Sequence, residues 1–254
     1  MQKETNRHFG LFKGSSKPKL EPDASMKVSI TPTENTIRDV TIRGPIQIAH
    51  DVFSELNLHV ARETADYAIR HLDRALHFYH VQHLWSHALT NVYKPGIWAE
   101  FGVFKGTSIN FFARSRPKQK IYGFDSFEGL HVDWKGTHMP KGSFDLKGNL
   151  PPVEANVELV KGWFDETLPA FLSEVRDEFG FLHIDCDTYE GCKIILDLAG
   201  SRITAGTIIV FDEYFGYRGW RHGEHKAWLE FTKRTHMKYE YLAFCHQQVS
   251  VRVL

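Results

Sequence analysis

The sequence has no excess of charge of either sign and no long apolar run. Lysine plus arginine and aspartate plus glutamate number 31 each, so no net field favours nucleic acid or an anionic membrane as a partner. The longest apolar run near a predicted strand, TIIVF at residues 207–211, is far too short to span a bilayer. We therefore expect neither a nucleic-acid partner nor a membrane partner.

Cysteines are also few. Cys186, Cys192 and Cys245 form no C-x-x-C pair and leave an odd count, which indicates a reduced setting rather than a disulfide framework. The first ten residues, MQKETNRHFG, are polar and of mixed charge, unlike a secretory signal. We therefore expect a cytoplasmic location.

The sequence does contain enough apolar material for one sizeable domain. It has 254 residues, of which 42% are hydrophobic and 13% aromatic, and α/β domains often reach this length. Residues 1–45 show little apolar periodicity and include the run KGSSKPKLEPDAS, which predicts a flexible arm. Residues 46–254 are expected to form the domain, beginning with a helical extension.

The order of predicted elements favours an α/β sheet. Residues 51–92 follow a helical pattern, extending through Leu72 to Leu84, and predict two helices. Strands and helices then alternate, which is typical of a parallel sheet with helices on both faces. The predicted strands are 97–103, 120–125, 156–161, 180–185 and 205–212, and the predicted helices are 107–115, 165–178, 189–202 and 222–235.

The chain closes with two strands, 237–244 and 247–254, joined only at Cys245–His246. So short a joint forces an antiparallel hairpin, because parallel strands need a long crossover. Residues 126–155 form a long predicted loop rich in glycine, proline and histidine, and a loop of that length is usually functional or mobile.

A glycine-bracketed turn is the strongest single signal. Residues 97–108, IWAEFGVFKGTS, predict a buried strand, a turn with Gly102 and Gly106, and a helix beginning near Thr107. Glycine lets backbone approach a ligand closely, and the helix points free N–H groups into the same turn. Asp125 ends the next strand, at the distance of the usual partner for ribose hydroxyls. We therefore predict a nucleotide-like ligand at the mouth of this strand.

The spacing of the glycines favours S-adenosylmethionine (SAM) over a nicotinamide cofactor. The pattern is E-x-G-x-x-x-G, which departs from the dinucleotide pattern G-x-G-x-x-G. The alternatives are a tight turn without a ligand, a turn-capping role for Asp125, and a core position for Trp163. The predicted cofactor-binding residues are Glu100, Gly102, Phe104, Gly106, Thr107, Ser108, Asp125, Ser126, Phe127, Gly162, Trp163 and Asp185.

Carboxylates follow two predicted strands. Asp185 ends the fourth strand with Asp187 two residues on, and Asp212 and Glu213 end the fifth. Neighbouring strand ends converge on one crevice, and crowded like charges need a cation or a proton. A hard divalent ion such as Mg²⁺ fits these oxygen ligands. Alternatively, Asp187 caps the next helix together with Glu190, Asp212 is an ordinary strand-end carboxylate, and Glu213 is a plain loop residue.

Five segments together resemble the macrocin O-methyltransferase (TylF-type) family. They are EFGVFKGTS, YGFDSFEGL, NVELVKGWFDETLP, LHIDCDTYEGCKIILD and GTIIVFDEYFGYRGW, in family order within residues 97–231. The resemblance implies a class I SAM-dependent methyltransferase fold, a Rossmann-like sheet of five parallel strands plus a C-terminal antiparallel hairpin, with extra N-terminal helices. It also implies methylation of sugar hydroxyls of natural products, with magnesium as helper.

Residue by residue, the resemblance places Asp185, Asp212 and Glu213 at metal-ligand positions and Asp187 at the general base. The family usually has a second aspartate where this chain has Glu213. The implied function is SAM-dependent O-methylation of a small-molecule hydroxyl, on a sugar or natural-product glycoside, with Mg²⁺. The alternatives are a metal-independent methyltransferase with Asp187 or His225 as base, a non-catalytic SAM- or nucleotide-binding module, and a nicotinamide oxidoreductase.

Three further expectations concern the surroundings of the site. The aromatic and basic run at residues 216–228 is expected to form a wall of the acceptor pocket. His80, His83 and His87 share a helical face but lack a completing ligand, so a packing and surface role is expected for them. The N-terminal helices are expected to serve subunit contacts in a homo-oligomer.

Overall fold

The computed structural model describes residues 51–254, so the predicted arm at residues 1–45 lies outside the described residues. Within the described part, strands and helices alternate as predicted. In chain order the elements are α1 Val52–His71, β1 Leu76–His77, α2 Val81–Thr90, β2 Ile97–Phe101, α3 Thr107–Ser115, β3 Ile121–Asp125, β4 Val157–Lys161, α4 Phe164–Glu174, β5 Phe179–Ile184, α5 Tyr189–Ala199, β6 Ile208–Phe211, α6 Glu224–Thr235, β7 Tyr239–Cys245 and β8 Gln248–Val253. Short 3₁₀ helices at Gly200–Arg202 and Trp220–His222 follow α5 and precede α6.

The eight strands of the described residues belong to one sheet, in the order β1-β7-β8-β6-β5-β2-β3-β4. Strands β2 to β6 are mutually parallel, and β8 runs antiparallel to both β6 and β7. Strand β3 lies on one side of β2, and β5 lies on the other side. The strand order therefore reverses at β2, which makes the carboxyl end of β2 the topological switch point. Ligands bind outside the carboxyl ends of the strands at such a point. The predicted Rossmann-like sheet with a C-terminal hairpin is confirmed.

Helices cover both faces of the sheet, so its central strands are buried on both sides. Every residue of β2, β5 and β6 is buried. Along β6, Ile209 and Phe211 pack in the core beneath α4, α5 and α6, while Ile208 and Val210 pack beneath α2 and α3. This alternation follows from the two-residue period of a strand. The two cores hold the carboxyl ends of the central strands rigidly in place.

The structure corrects the prediction around residues 72–84. Helix α1 ends at His71, and the helical pattern expected to continue through Leu76 and Tyr79 is wrong. Leu76 and His77 instead form a two-residue strand that pairs in parallel with Ala243 and Phe244. The backbone groups at this sheet edge provide the hydrogen-bond partners that favour an extended conformation here. Two helices in residues 51–92, as predicted, remain.

The long loop at residues 126–155 folds back on itself. Leu130 N donates to Ser143 O at 2.9 Å, and Gly142 N donates to Leu130 O at 2.9 Å. The loop then crosses residues 218–219 in close backbone contact. A Cβ on Gly136, at φ +87°, would lie 1.8 Å from the Arg218 carbonyl oxygen. A Cβ on Gly219, at φ +88°, would lie 2.6 Å from the Lys135 carbonyl oxygen, so both positions require glycine.

Within residues 51–254, none of the helices combines the length and the apolar character that a membrane span requires.

Candidate active site

A cavity of about 380 Å³ opens at the carboxyl ends of the central strands. Backbone hydrogen bonds bring those ends level, since Asp185 N donates to Phe101 O and Asp212 N to Ile184 O, each at 2.9 Å. Acidic groups line one part of the cavity, namely Asp125, Asp185, Asp187 and Glu213. Aromatic rings line another part, namely Phe104, Trp134, Phe144, Trp163 and Phe164. The cavity therefore combines an apolar wall with a concentrated negative charge.

The glycine turn after β2 lies at this cavity. Gly102 lines it at φ +93°, and a Cβ there would lie 1.6 Å from the Asp185 carbonyl oxygen. This glycine is therefore needed for the approach of two strand ends, apart from any ligand. Gly106, at φ +80°, is the N-cap of α3, so the helix begins where the sequence predicted.

Asp125 holds the same turn through its carboxylate. Oδ2 accepts from the backbone N–H groups of Val103 and Phe104, both at 2.8 Å, and Oδ1 accepts from Phe127 N at 2.7 Å. Charge-assisted hydrogen bonds of this kind are strong. Asp125 thus has the turn-capping role that was the alternative to ribose binding. It also lines the cavity together with Ser126, so its contact with ribose stays a prediction.

Glu100 does not line the cavity, which corrects its prediction as a direct cofactor contact. Its side chain is fully buried, accepts from Ser108 Oγ at 3.0 Å, and lies 3.0 Å from His183 Nδ1. Burial raises the pKa of Glu100, although His183 and Ser108 oppose the rise. Five other predicted cofactor residues also lie outside the cavity lining, namely Gly106, Thr107, Ser108, Phe127 and Gly162.

Trp163 belongs to the aromatic part of the cavity lining. Its ring is half-buried and packs edge-on against His131, with ring centroids 5.0 Å apart. It lines the cavity, so the alternative of a core aromatic is excluded. A flat aromatic face at this position suits the stacking of a planar ring system.

Three carboxylates form the acidic part of the cavity. Oxygens of Asp185, Asp187 and Glu213 lie within 4.8 Å of one another. Glu213 is 6% exposed, and its Oε2 has no hydrogen-bond partner among residues 51–254. Burial, followed by the charges of Asp212 and Asp125, raises the pKa of Asp187 to about 7. Burial also raises the pKa values of Asp185 and Glu213 well above their ordinary values. The cluster therefore attracts a cation or retains a proton.

The predicted metal ligands Asp185, Asp212 and Glu213 do not all belong to one group of ligand atoms within 4.8 Å of one another. Asp212 groups instead with His183 and Asp185. Its Oδ1 lies 3.4 Å from His183 Nε2 and also accepts a hydrogen bond from Gln248 Nε2. Burial raises the pKa of Asp212, but the hydrogen bond and charge of His183 lower it overall. The Asp212 side chain contacts His183 and Gln248 instead. The group that contains Glu213 is completed by Asp185 and Asp187.

Asp187 has an unusual backbone and is not the cap of α5. Thr188 is the N-cap, and its side chain accepts from Gly191 N at 3.2 Å, so the capping alternative for Asp187 is wrong. Asp187 itself lies at φ +60°, a conformation that non-glycine residues rarely adopt. Such a residue costs about 1 kcal/mol or more and often occurs at functional sites.

His225 does not reach the cavity, which corrects its prediction as an alternative base. It is 5% exposed, and neither ring nitrogen has a hydrogen-bond partner within the described part of the chain. Its ring packs against Tyr67, Tyr214 and Trp220, with centroids 4.7–5.0 Å apart. None of residues 216–228 lines this cavity, and their expected role as a wall of the acceptor pocket stays a prediction.

Glu224 is a site residue that the sequence analysis missed. It is fully buried and accepts hydrogen bonds from the backbone N–H groups of Cys186, at 3.3 Å, and Glu213, at 3.2 Å. Burial, followed by the charge of Asp212, raises the pKa of Glu224 to about 8. Its only sequence signal was an acidic residue at the start of the last helix, within the run assigned to the pocket wall.

Residues 99–214 match the protein family described as "Methyltransferase domain". The match runs from β2 to the turn after β6 and covers less than half of the chain. The predicted methyltransferase enzyme is confirmed at this level, and the TylF-type resemblance stays a prediction. No curated protein matches the sequence.

Several solved structures are similar to this chain. CalS11, described as a calicheamicin methyltransferase, is 22% identical at a TM-score of 0.53, covering 84% of this chain and 99% of that one. Apo CalS11, described as TDP-rhamnose 3'-O-methyltransferase, is 23% identical at a TM-score of 0.51, with 80% and 96% covered. The O-methyltransferase NovP is 17% identical at a TM-score of 0.50, with 68% and 77% covered. These likenesses confirm the fold.

Proposed function

We propose that this methyltransferase uses SAM to methylate a hydroxyl group of a small molecule, a sugar or natural-product glycoside, with the help of Mg²⁺. One observation carries the proposal. The carboxylates of Asp185, Asp187 and Glu213 converge from two neighbouring strand ends on a cavity whose other wall is aromatic. The descriptions of CalS11 and NovP as O-methyltransferases, one of them acting on TDP-rhamnose, support the choice of a sugar hydroxyl.

The cavity wall supports SAM as the methyl donor. Gly102 and Phe104 form the part of the cavity wall that lies in the turn after β2. Asp125 and Ser126 offer hydroxyl-binding oxygens at the end of β3, and Trp163 offers a flat face at the end of β4. These groups suit the amino acid, ribose and adenine parts of SAM in turn. The methyl group would then face the carboxylates at the ends of β5 and β6.

Asp187 is the proposed general base. Without a bound cation, burial and the charges of Asp212 and Asp125 raise the pKa of Asp187 to about 7, which favours uptake of a proton from the acceptor hydroxyl. As the acceptor oxygen attacks the SAM methyl carbon, the carbon–sulfur bond breaks and Asp187 takes the hydroxyl proton. S-adenosylhomocysteine and a methyl ether are the products.

The donor set fits a hard divalent cation. Asp185, Asp187 and Glu213 offer carboxylate oxygens that lie within 4.8 Å of one another, and Glu213 Oε2 is buried without a hydrogen-bond partner in the range that the structure describes. Mg²⁺ prefers such oxygen ligands, and when bound it would lower the pKa of an acceptor hydroxyl. One oxygen of Asp187 can face the ion while the other accepts the proton.

The test uses the purified full chain. Calorimetry is expected to show binding of S-adenosylhomocysteine and none of NAD⁺. A panel of nucleoside-diphosphate sugars and glycosides, incubated with methyl-labelled SAM, is expected to yield a labelled ether that disappears with EDTA and returns with MgCl₂. Binding of NAD⁺ without S-adenosylhomocysteine would exclude the proposed cofactor.

A metal-independent methyltransferase is the second candidate. The contacts of Asp212 with His183 and Gln248 favour it, because they engage one of the expected ligands. Full activity in EDTA would select this candidate and leave Asp187 as the base. The expected homo-oligomer and cytoplasmic location also stay predictions.

A further inference from the structure

Glu224 joins three separate parts of the chain behind the cavity. It is the first residue of α6, and its side chain is fully buried. Its Oε1 accepts from Cys186 N at 3.3 Å, and its Oε2 accepts from Glu213 N at 3.2 Å. The Cys186 thiol lies 3.7 Å from the same Oε1. One carboxylate thus contacts the turn after β5 and the turn after β6 at the same time.

Both amides that Glu224 contacts lie next to carboxylates of the cavity. Cys186 lies between Asp185 and Asp187, and Glu213 directly follows Asp212. Each amide therefore belongs to the turn that carries cavity carboxylates. Since the central strands are fixed by the buried sheet, the remaining freedom lies in these two turns, and Glu224 ties both to one side chain.

A role confined to the helix does not explain Glu224. An acidic residue in the first turn is stabilised by the helix dipole even when exposed, as at Asp165 and Glu166 of α4. Both oxygens of Glu224 instead accept from turns outside α6. A buried carboxylate is costly unless such hydrogen bonds satisfy it, so its position indicates a task in these turns.

We propose that Glu224 is a positioning residue that fixes the distances among the Asp185, Asp187 and Glu213 carboxylates by clamping the two turns. It acts through backbone amides and does not contact the substrate. The proposal rests on the proposed function where it concerns metal binding. Its core, the joint clamping of two turns, holds for the protein without any ligand.

The test compares Glu224→Gln and Glu224→Ala with the wild-type chain. Glutamine keeps the size of the side chain but can accept only one of the two hydrogen bonds, so it is the milder of the two changes. Glu230→Gln is the matched control, because Glu230 lies on the same helix and is exposed. Amide hydrogen exchange is measured in peptides covering residues 185–188 and 212–215. Mn²⁺ binding is measured by calorimetry and by its paramagnetic resonance spectrum.

In both Glu224 variants we expect faster exchange in the two turns together, and Mn²⁺ affinity lower by about 10- to 100-fold, as for other residues that orient ligands. The Mn²⁺ spectrum should also broaden, which a loss of stability alone does not cause. S-adenosylhomocysteine affinity and the Glu230→Gln control should match the wild type.

Unchanged exchange in both turns, or faster exchange in only one of them, would overturn the proposal. Wild-type Mn²⁺ affinity in both variants would overturn it as well. If the wild-type chain itself binds no Mn²⁺, the metal in the proposed function is dismissed, and the exchange measurement alone decides whether Glu224 clamps the turns.

Discussion

His183 and Glu100 form a fully buried ion pair in the middle of the sheet, with Nδ1 3.0 Å from Oε2. The other ring nitrogen, Nε2, lies 3.4 Å from Asp212 Oδ1. Burial opposes protonation, but the neighbouring carboxylates of Asp212 and Glu100 raise the pKa of His183 well above its ordinary value. The imidazole of His183 therefore lies between two carboxylates and connects Glu100 of β2 with Asp212 at the acidic end of β6.

Replacing His183 by glutamine should destabilise the protein strongly. Glutamine carries no positive charge, so Glu100 and Asp212 would lose their cationic partner, and breaking a buried pair typically costs about 3–5 kcal/mol. Urea unfolding measures the loss, with His59→Gln on the exposed surface of α1 as control. A loss below about 1 kcal/mol would show that the pair is held in neutral form.

The glycine turn provides a second prediction. In Gly102→Ala the new Cβ would lie 1.6 Å from the Asp185 carbonyl oxygen, so the ends of β2 and β5 must separate. We expect a large drop in thermal midpoint and loss of S-adenosylhomocysteine binding. Gly142→Ala is the control, because it has a similar φ of +82° but no atom within 4 Å of the added Cβ. Its cost should be only the backbone strain, about 1 kcal/mol. Equal behaviour of the two variants would refute the close-approach argument.

The sequence predicted the sheet because each central element carries a local pattern. Buried apolar strands, glycine turns and helical periodicity lie within a few neighbouring residues, as in residues 97–108. The two-residue strand at Leu76–His77 carries no such pattern. It depends on backbone pairing with Ala243 and Phe244, far along the chain, and so it was missed.

The candidate site was predictable in its position but not in its contacts. Parallel strand ends meet at one edge, so Asp125, Asp185 and Glu213 could be placed at the cavity. The direction of Glu100 could not, because β2 is buried on both faces and alternation no longer distinguishes them. The partners of Asp212 and Glu224 likewise come from distant segments that carry no signal in the local sequence.

Substitutions at Asp187 and Thr188 should distinguish the role of a general base from the role of an N-cap of α5. Asp187→Asn is expected to lower methyl transfer by about 10²–10⁴-fold, because the amide cannot take a proton. Thr188→Ala should instead cost about 1 kcal/mol of unfolding free energy, since it removes the hydrogen bond to Gly191 N. S-adenosylhomocysteine release, with an acceptor from the panel, and urea unfolding measure the two effects. Near-normal turnover in Asp187→Asn would remove it from the mechanism.

His225 predicts an acid-side loss of stability. Burial, followed by the charges of Arg221 and His71, lowers its pKa to about 4 from an ordinary value of 6.5. The folded state thus disfavours the protonated ring. Above pH 6.5 His225 does not lower the unfolding free energy. As the pH falls towards 4, protonation of His225 in the unfolded state lowers the unfolding free energy by about 3 kcal/mol.

His225→Phe keeps a ring in the same aromatic cage and removes the titrating group. Between pH 7 and pH 4, the unfolding free energy of the wild type should fall by about 3 kcal/mol more than that of the variant. His222→Gln on the exposed surface is the control and should follow the wild type. Parallel pH profiles for wild type and His225→Phe would refute the buried neutral ring.

The crossing of Gly136 and Gly219 restricts how this enzyme can be re-engineered or can diversify. Residues 126–155 supply much of the cavity wall, so an exchange of this loop is the natural route to a different acceptor. Because each glycine leaves no room for a Cβ against the opposite backbone, a transplanted loop must arrive with a glycine in register with Gly219. The loop and the segment before α6 therefore have to be inherited, or grafted, as a pair.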